Sequence, residues 1–208
     1  LVKFITWILP TNAGQGLVII AAVLAGQTLP VLPVQALWIN MTTAVLLGLA
    51  LTFEPKEPGI MNRPPRRPDA PLLTGELIFR ILLVGVLLLI GSYGLFEWAL
   101  HRGASEAEAR TIAVGVFAVG QSFYLLNCRS LRHSMFRLGV FSNPWIWGGI
   151  AAMMATQLAF TYLPVMNWLF HTAPIGWMDW LHIFAVGLAI YLIIGVEKAW
   201  RRRKELET

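Results

Sequence analysis

The 208 residues are 57% hydrophobic and only 13% charged, with a mean hydropathy of +0.65, about half the charge content of a soluble domain, which excludes an ordinary water-soluble enzyme. The formal net charge of +5 does not mark a nucleic-acid surface, because the basic residues are not interleaved with aromatics on a polar face. Cys128 is the single cysteine, so no internal disulfide can form.

A bilayer crossing takes roughly 20 apolar residues, and six runs of about that length predict an all-α, polytopic transmembrane helix bundle. The spans are expected at about residues 4–26, 31–53, 77–100, 112–128, 145–163 and 180–196. Lys56, Arg63, Arg66 and Arg67 follow span two, Arg129, Arg132 and Arg137 follow span four, and Lys198, Arg201, Arg202, Arg203 and Lys204 follow span six. Twelve of the 16 basic residues thus fall on one side, which predicts that both ends are cytoplasmic.

The chain opens at Leu1 without an initiator Met or a basic leader, and is expected to be a fragment whose N-terminal part is missing. Span one carries Pro10 inside its apolar run, with Asn12 and Gln15 three apart and expected on one face. Two such amides suit half of a polar site, or the hydrogen-bonded packing of neighbouring helices. Span two carries Asn40, Thr42 and Thr43 near its middle, where unsolvated polar groups need a partner or a cavity. A tight turn between the two spans would let Asn12 and Gln15 meet Asn40 and Thr43, if the helices are staggered or span two is partly unwound.

Residues 54–71 hold six prolines and four basic residues, and read as an extended contact loop or a solvated linker. Span three, with Gly85, Gly91 and Gly94, reads as a packing helix. Span four contributes Gln121, on the membrane side of the Arg129 cluster, as a third candidate polar contributor. Spans five and six are more uniformly apolar, with Gln157 their main intramembrane polar side chain. Residues 197–208 form a basic tail, an orientation signal or a lure for anionic lipid. His101, His133, His171 and His182 have no metal-site spacing, and the phosphate-loop and dinucleotide signatures are missing from these residues.

PTNAGQG at 10–16, LPVQALWINMTTAVLLGLALTFEPKEPGIMNRPPRRPDAPLLTGELIFR at 32–80 and NCRSLRHS at 127–134 closely resemble the last six membrane helices of bacterial P-type cation-transporting ATPases. The branch is that of the calcium and sodium pumps, and actinobacterial cation pumps are especially similar. The likeness extends over 1–208, though the last two spans match in hydropathy and order alone.

The resemblance implies that the six spans are the fifth to tenth helices of ten in a bacterial plasma-membrane protein. Asn12, Gln15, Asn40 and Thr43 would face the transported cation with Gln121 at the edge, and 54–71 would couple a phosphorylation domain to the bilayer. The fragment itself would hold no cofactor. ATP and Mg²⁺ would be used upstream of Leu1, by domains that join the missing first membrane helices as partners of this chain.

Departures from the calcium-pump pattern bear on the ion. Gln15 stands where those pumps usually have Glu, Ala44 where they have Asp, and Gln121 where Glu is common. Every acid in the chain lies in a loop, the tail or a span end. Because Ca²⁺ takes six to eight oxygens with carboxylates among them, the residues favour a monovalent or partly hydrated divalent ion over a two-calcium site. A secondary cation transporter or channel domain, or a membrane scaffold, remains the alternative on the residues alone.

Overall fold

The computed structural model describes residues 2–54, 73–130 and 139–207. The expected coupling loop lies outside the described residues except for Glu54, as do Arg132 and Arg137. Among the described residues the architecture is entirely helical.

Span one is α1 (Val2–Leu24). It stops because Gly26, at φ +63°, takes the left-handed conformation that a side chain resists. The turn then closes with Gln27 N–H donating to Ala22 O at 2.9 Å and Gly26 N–H to Val23 O at 3.1 Å, which satisfies two carbonyls the helix would otherwise leave bare. Pro10 sits inside α1 and has no N–H for Thr6 O. The freed carbonyl accepts instead from Tyr124 Oη at 2.7 Å.

Span two is three pieces. Helix α2 (Pro33–Thr43) runs into a π-helical turn, Ala44–Gly48, and then α3 (Leu49–Thr52). Helix α4 (Gly75–His101) starts where Thr74 Oγ1 accepts from Leu77 N–H. Of its three expected packing glycines, Gly85 lies against Gly14 of α1, and Gly91 is so close to Val186 that a Cβ would come within 2.5 Å of Cγ1. Gly94 faces open space.

Helix α5 (Glu106–Cys128) begins six residues before the expected 112. Ser105 and Glu108 form a reciprocal cap, Ser105 N–H donating to Glu108 Oε2 at 2.8 Å and Glu108 N–H to Ser105 Oγ at 3.3 Å, so a polar first turn is helical despite its low hydropathy. Buried along most of its length, α5 is the central post, packed by α1, α4, α6 (Pro144–Tyr162) and α8 (Trp177–Glu207). Between the last two comes α7 (Pro164–Phe170), set at 80° to α6. Five helices are long and apolar enough to cross a membrane, or six if α6 and α7 form one bent span. The chain is therefore a membrane helix bundle with about the expected number of spans.

The expected basic tail is helical as far as Glu207 and tied down at its start. Glu197 pairs with Arg80 of α4 at 3.5 Å and also with Arg201, which reaches Glu76 at 3.5 Å. Lys198 Nζ donates to Asn127 O and Ser130 O, caging the carbonyl end of α5 with a positive charge where the helix dipole favours one.

Candidate functional site

On α1, Gln15 is 5% exposed and neither its Oε1 nor its Nε2 has a hydrogen-bond partner. Asn12, by contrast, lies on the exposed side of α1. Residues three apart in a helix are offset by about 60° around the axis, enough here to put one amide inside the bundle and the other at its flank. Span two repeats the arrangement, with Thr43 buried and Asn40 exposed. Thr43 Oγ1 donates to Ile39 O at 2.7 Å, and its oxygen retains acceptor capacity.

Asn12 and Asn40 stand at about one depth. A Cβ on Gly48 would meet Phe4 Cε2 at 2.7 Å and Trp7 Cζ3 at 3.4 Å, which sets the level at which span two crosses α1. Eight residues along α1 from Phe4 is Asn12, and eight back along span two from Gly48 is Asn40, each about 12 Å away at helical rise. The helices touch at the π turn and α3. Asn12 and Asn40 therefore share a level, whereas Gln15 and Thr43, the buried members of the two pairs, lie about 9 Å apart along the bundle at helical rise.

The π turn starts at Ala44, directly after Thr43. Such turns insert one residue into the helical ladder and recur at functional sites. Here α6 packs against it through Gly149, where a Cβ would stand 2.3 Å from Leu46 O. Any larger residue at 149 would displace either α6 or the turn.

Gln121 of α5 is 1% exposed with both amide atoms unpartnered. Its backbone carbonyl accepts from Trp7 Nε1 at 3.1 Å, which places its Cα beside the first half of α1. Helix side chains lean back toward their own N-terminus, so the Gln121 amide leans toward the level of Gln15. A residue that sequence reading left outside the site joins this depth from α6. Gln157 is 1% exposed, again without partners for Oε1 or Nε2. It lies between two contacts to span two, Phe160 stacked on Trp38 at 5.6 Å and Gly149 against Leu46, and therefore near the level of Asn40. Three buried, unpartnered glutamines are costly at about 1–3 kcal/mol for each unmet polar group.

At the basic end two charges stand where the sequence puts them, at the ends of spans two and four, but they are buried and paired. Arg129 is fully buried, and its Nε donates to Glu54 Oε1 at 3.2 Å, its Nη1 to Val140 O at 2.8 Å and its Nη2 to Ser142 Oγ at 2.6 Å. Glu54, assigned by sequence to the start of a loop, is itself buried at its side chain. Among the described residues the carboxylates lie at the two ends of the bundle, with Glu54, Glu76 and Glu197 at the basic end and Glu97, Glu106, Glu108 and Asp179 at the other. No three His, Cys, Asp or Glu side chains among them gather as a metal cluster. Any cation held at the depth of Gln15 would thus meet amides, hydroxyls and carbonyls.

Residues 28–200 match the family model described as cation transporting ATPase, C-terminus. The chain belongs to this family. Among the similar proteins, "Probable cation-transporting ATPase F" of Mycobacterium tuberculosis is 56% identical over 197 residues, which is 95% of this chain and 22% of that protein. "Cation-transporting ATPase pma1" of Synechocystis is 38% identical over 184 residues, covering 86% of this chain and 20% of the relative. A "Calcium-transporting ATPase" of Bacillus subtilis is 30% identical over 195 residues, covering 93% and 22%. The chain spans about a fifth of the length of these relatives. Within this cation-ATPase C-terminal region, Ala44 is the residue where the polar tract of span two gives way to the π turn.

Proposed function

We propose that the chain is the transmembrane part of an ATP-driven cation pump and contributes the neutral half of its ion path. Asn12, Gln15, Asn40 and Thr43 would bind the cation, with Gln121 at the periphery. The observation that carries this reading is the buried, unpartnered amide of Gln15 inside a membrane-spanning helix. Asn12 and Asn40 support it, because they interrupt exposed strips otherwise made of Ile20 and Val23, and of Leu37 and Met41. An amide facing lipid at that depth is expensive, so this flank fits closure by other membrane helices of the full-length protein.

The ligand chemistry favours a monovalent cation, or a divalent one that keeps part of its water shell. Two positive charges in a low dielectric need carboxylate compensation, which here would have to come from outside these residues. Phosphorylation by ATP with Mg²⁺, in domains preceding Leu1, would tilt the helices and expose the site alternately to each side. The basic end would lie in the cytoplasm of a bacterial cell, with the bundle in the plasma membrane.

Phosphoenzyme formation by the full-length protein in vesicles tests the reading, with Ca²⁺, Mn²⁺, Na⁺ and K⁺ each supplied alone. One cation should drive it, and Asn40→Ala should raise the concentration required. Cation uptake that proceeds without ATP would point to a secondary transporter or channel instead. An unchanged ion dependence in Asn40→Ala would show that the site lies elsewhere.

A further inference from the structure

The transport reading leaves unexplained why a full charge pair is buried at the inner end of span two. The side chains of Glu54, Arg129 and Asn143 bond to one another and to separate pieces of chain. Arg129, in the turn after α5, donates to Glu54 and to the backbone at Gly139 and Val140. Asn143 Nδ2 donates to Glu54 Oε2 at 2.8 Å and to Ala50 O at 3.3 Å, while its Oδ1 accepts from Trp145 N–H at 3.0 Å and so caps α6. Three separate segments, α3, the turn after α5 and the start of α6, are thereby locked into one cluster. A planar guanidinium fork fixes direction as well as distance, whereas a buried ion pair adds little net stability compared with apolar packing.

The opposite end of span two is pinned as well. Gln35 is fully buried, its Nε2 donating to Phe170 O at 2.9 Å and its Oε1 accepting from Leu32 N–H at 3.0 Å. Span two is thus tied at its first turn to α7 and at its last residue to the α5–α6 turn. Between the ties lies the π turn, the one interval of the span where the hydrogen-bond ladder is irregular. A helix held at both ends cannot slide as a rod; it can only rewind or shift where the ladder is soft.

We propose that Glu54, Arg129 and Asn143 form an anchor that holds the inner end of span two to the α5–α6 turn and confines the movement of the span during transport to the π turn. These are positioning residues, remote from the ion. The proposal rests on the pump reading for its role in transport, though not for the anchor itself.

The test uses the full-length protein and the double variant Glu54→Leu/Arg129→Met, which removes both charges and leaves apolar groups of similar length. Arg129→Met alone strands a buried carboxylate and should unfold at a lower temperature than the double variant. Hydrogen–deuterium exchange over residues 49–54 should rise about threefold or more in the double variant, while exchange over 33–43 stays at the wild-type level. Unchanged exchange over 49–54 overturns the anchor, whatever the protein transports. In vesicles, cations taken up per ATP hydrolysed should fall about twofold or more in the double variant, because part of the helix motion is lost into the freed end. A wild-type ratio together with raised exchange would show that the cluster holds the helix but plays no part in transport, which overturns the proposal. If the wild-type protein shows no ATP-driven uptake of any cation, the pump reading fails, and the exchange measurement still decides whether the anchor exists.

Discussion

Replacing Gln15 with Leu should stabilise the protein and weaken its cation dependence at the same time. Gln15 is buried with two unpartnered polar atoms, and each unmet group costs about 1–3 kcal/mol. An apolar residue of nearly the same volume removes that cost for both atoms, so the cation-free protein should gain about 2–6 kcal/mol, less whatever water supplies to the amide. The same change deletes one oxygen from the cation's surroundings. A neutral group contacting a charge contributes about 1.5–3 kcal/mol, which converts to a rise of roughly 10- to 150-fold in the cation concentration for half-maximal phosphoenzyme. Thermal unfolding of the full-length protein without cation reads the first quantity, and cation titration of phosphoenzyme reads the second. A lower unfolding temperature with an unaltered titration would mean that the Gln15 amide is satisfied in place and serves only packing. That pair of results would refute the reasoning, since the direction of both effects follows from one unpartnered amide.

Gly149→Ala should lower the unfolding temperature, because the added methyl would stand 2.3 Å from Leu46 O and overpacking of this kind costs about 1–3 kcal/mol. Gly148→Ala, which meets nothing within 4 Å, is the matched control and should leave stability unchanged or slightly raised. Tyr124→Phe should destabilise by about 1–2 kcal/mol because it leaves Thr6 O without its donor. In a Pro10→Ala background, where the helix can supply that donor itself, the loss should shrink, and a thermal double-mutant cycle reads the difference.

The spans, their order and the packing role of Gly85 and Gly91 were legible in the sequence, because hydropathy and small residues are properties each helix carries alone. The start of α5 was not: its polar first turn is helical through the Ser105–Glu108 cap, a local effect that hydropathy averages away. Gln157 was visible as an intramembrane amide, yet nothing in α6 alone announces the depth it shares with Asn40. Arg129 and Glu54 looked like members of a solvated basic rim and an acidic loop end. Only their juxtaposition across the basic end of the bundle converts them from topology markers into a buried pair.

Composition by itself determined that this chain lives in lipid and crosses it several times, since burying so many apolar side chains and so few charges leaves no other stable solvent. Its motifs likewise carried the resemblance to cation pumps, and the lack of mid-span carboxylates that bears on the ion. The tertiary structure alone decided how the polar residues are dealt out. Two residues three apart can face opposite environments, and which one is buried depends on the neighbouring helix. The π turn likewise packs against Gly149 of α6 and lies between the bonds made by Gln35 and Glu54, contacts between segments more than ninety positions apart in the chain or nearly so. Contacts with such distant partners leave no period in the residues that make them.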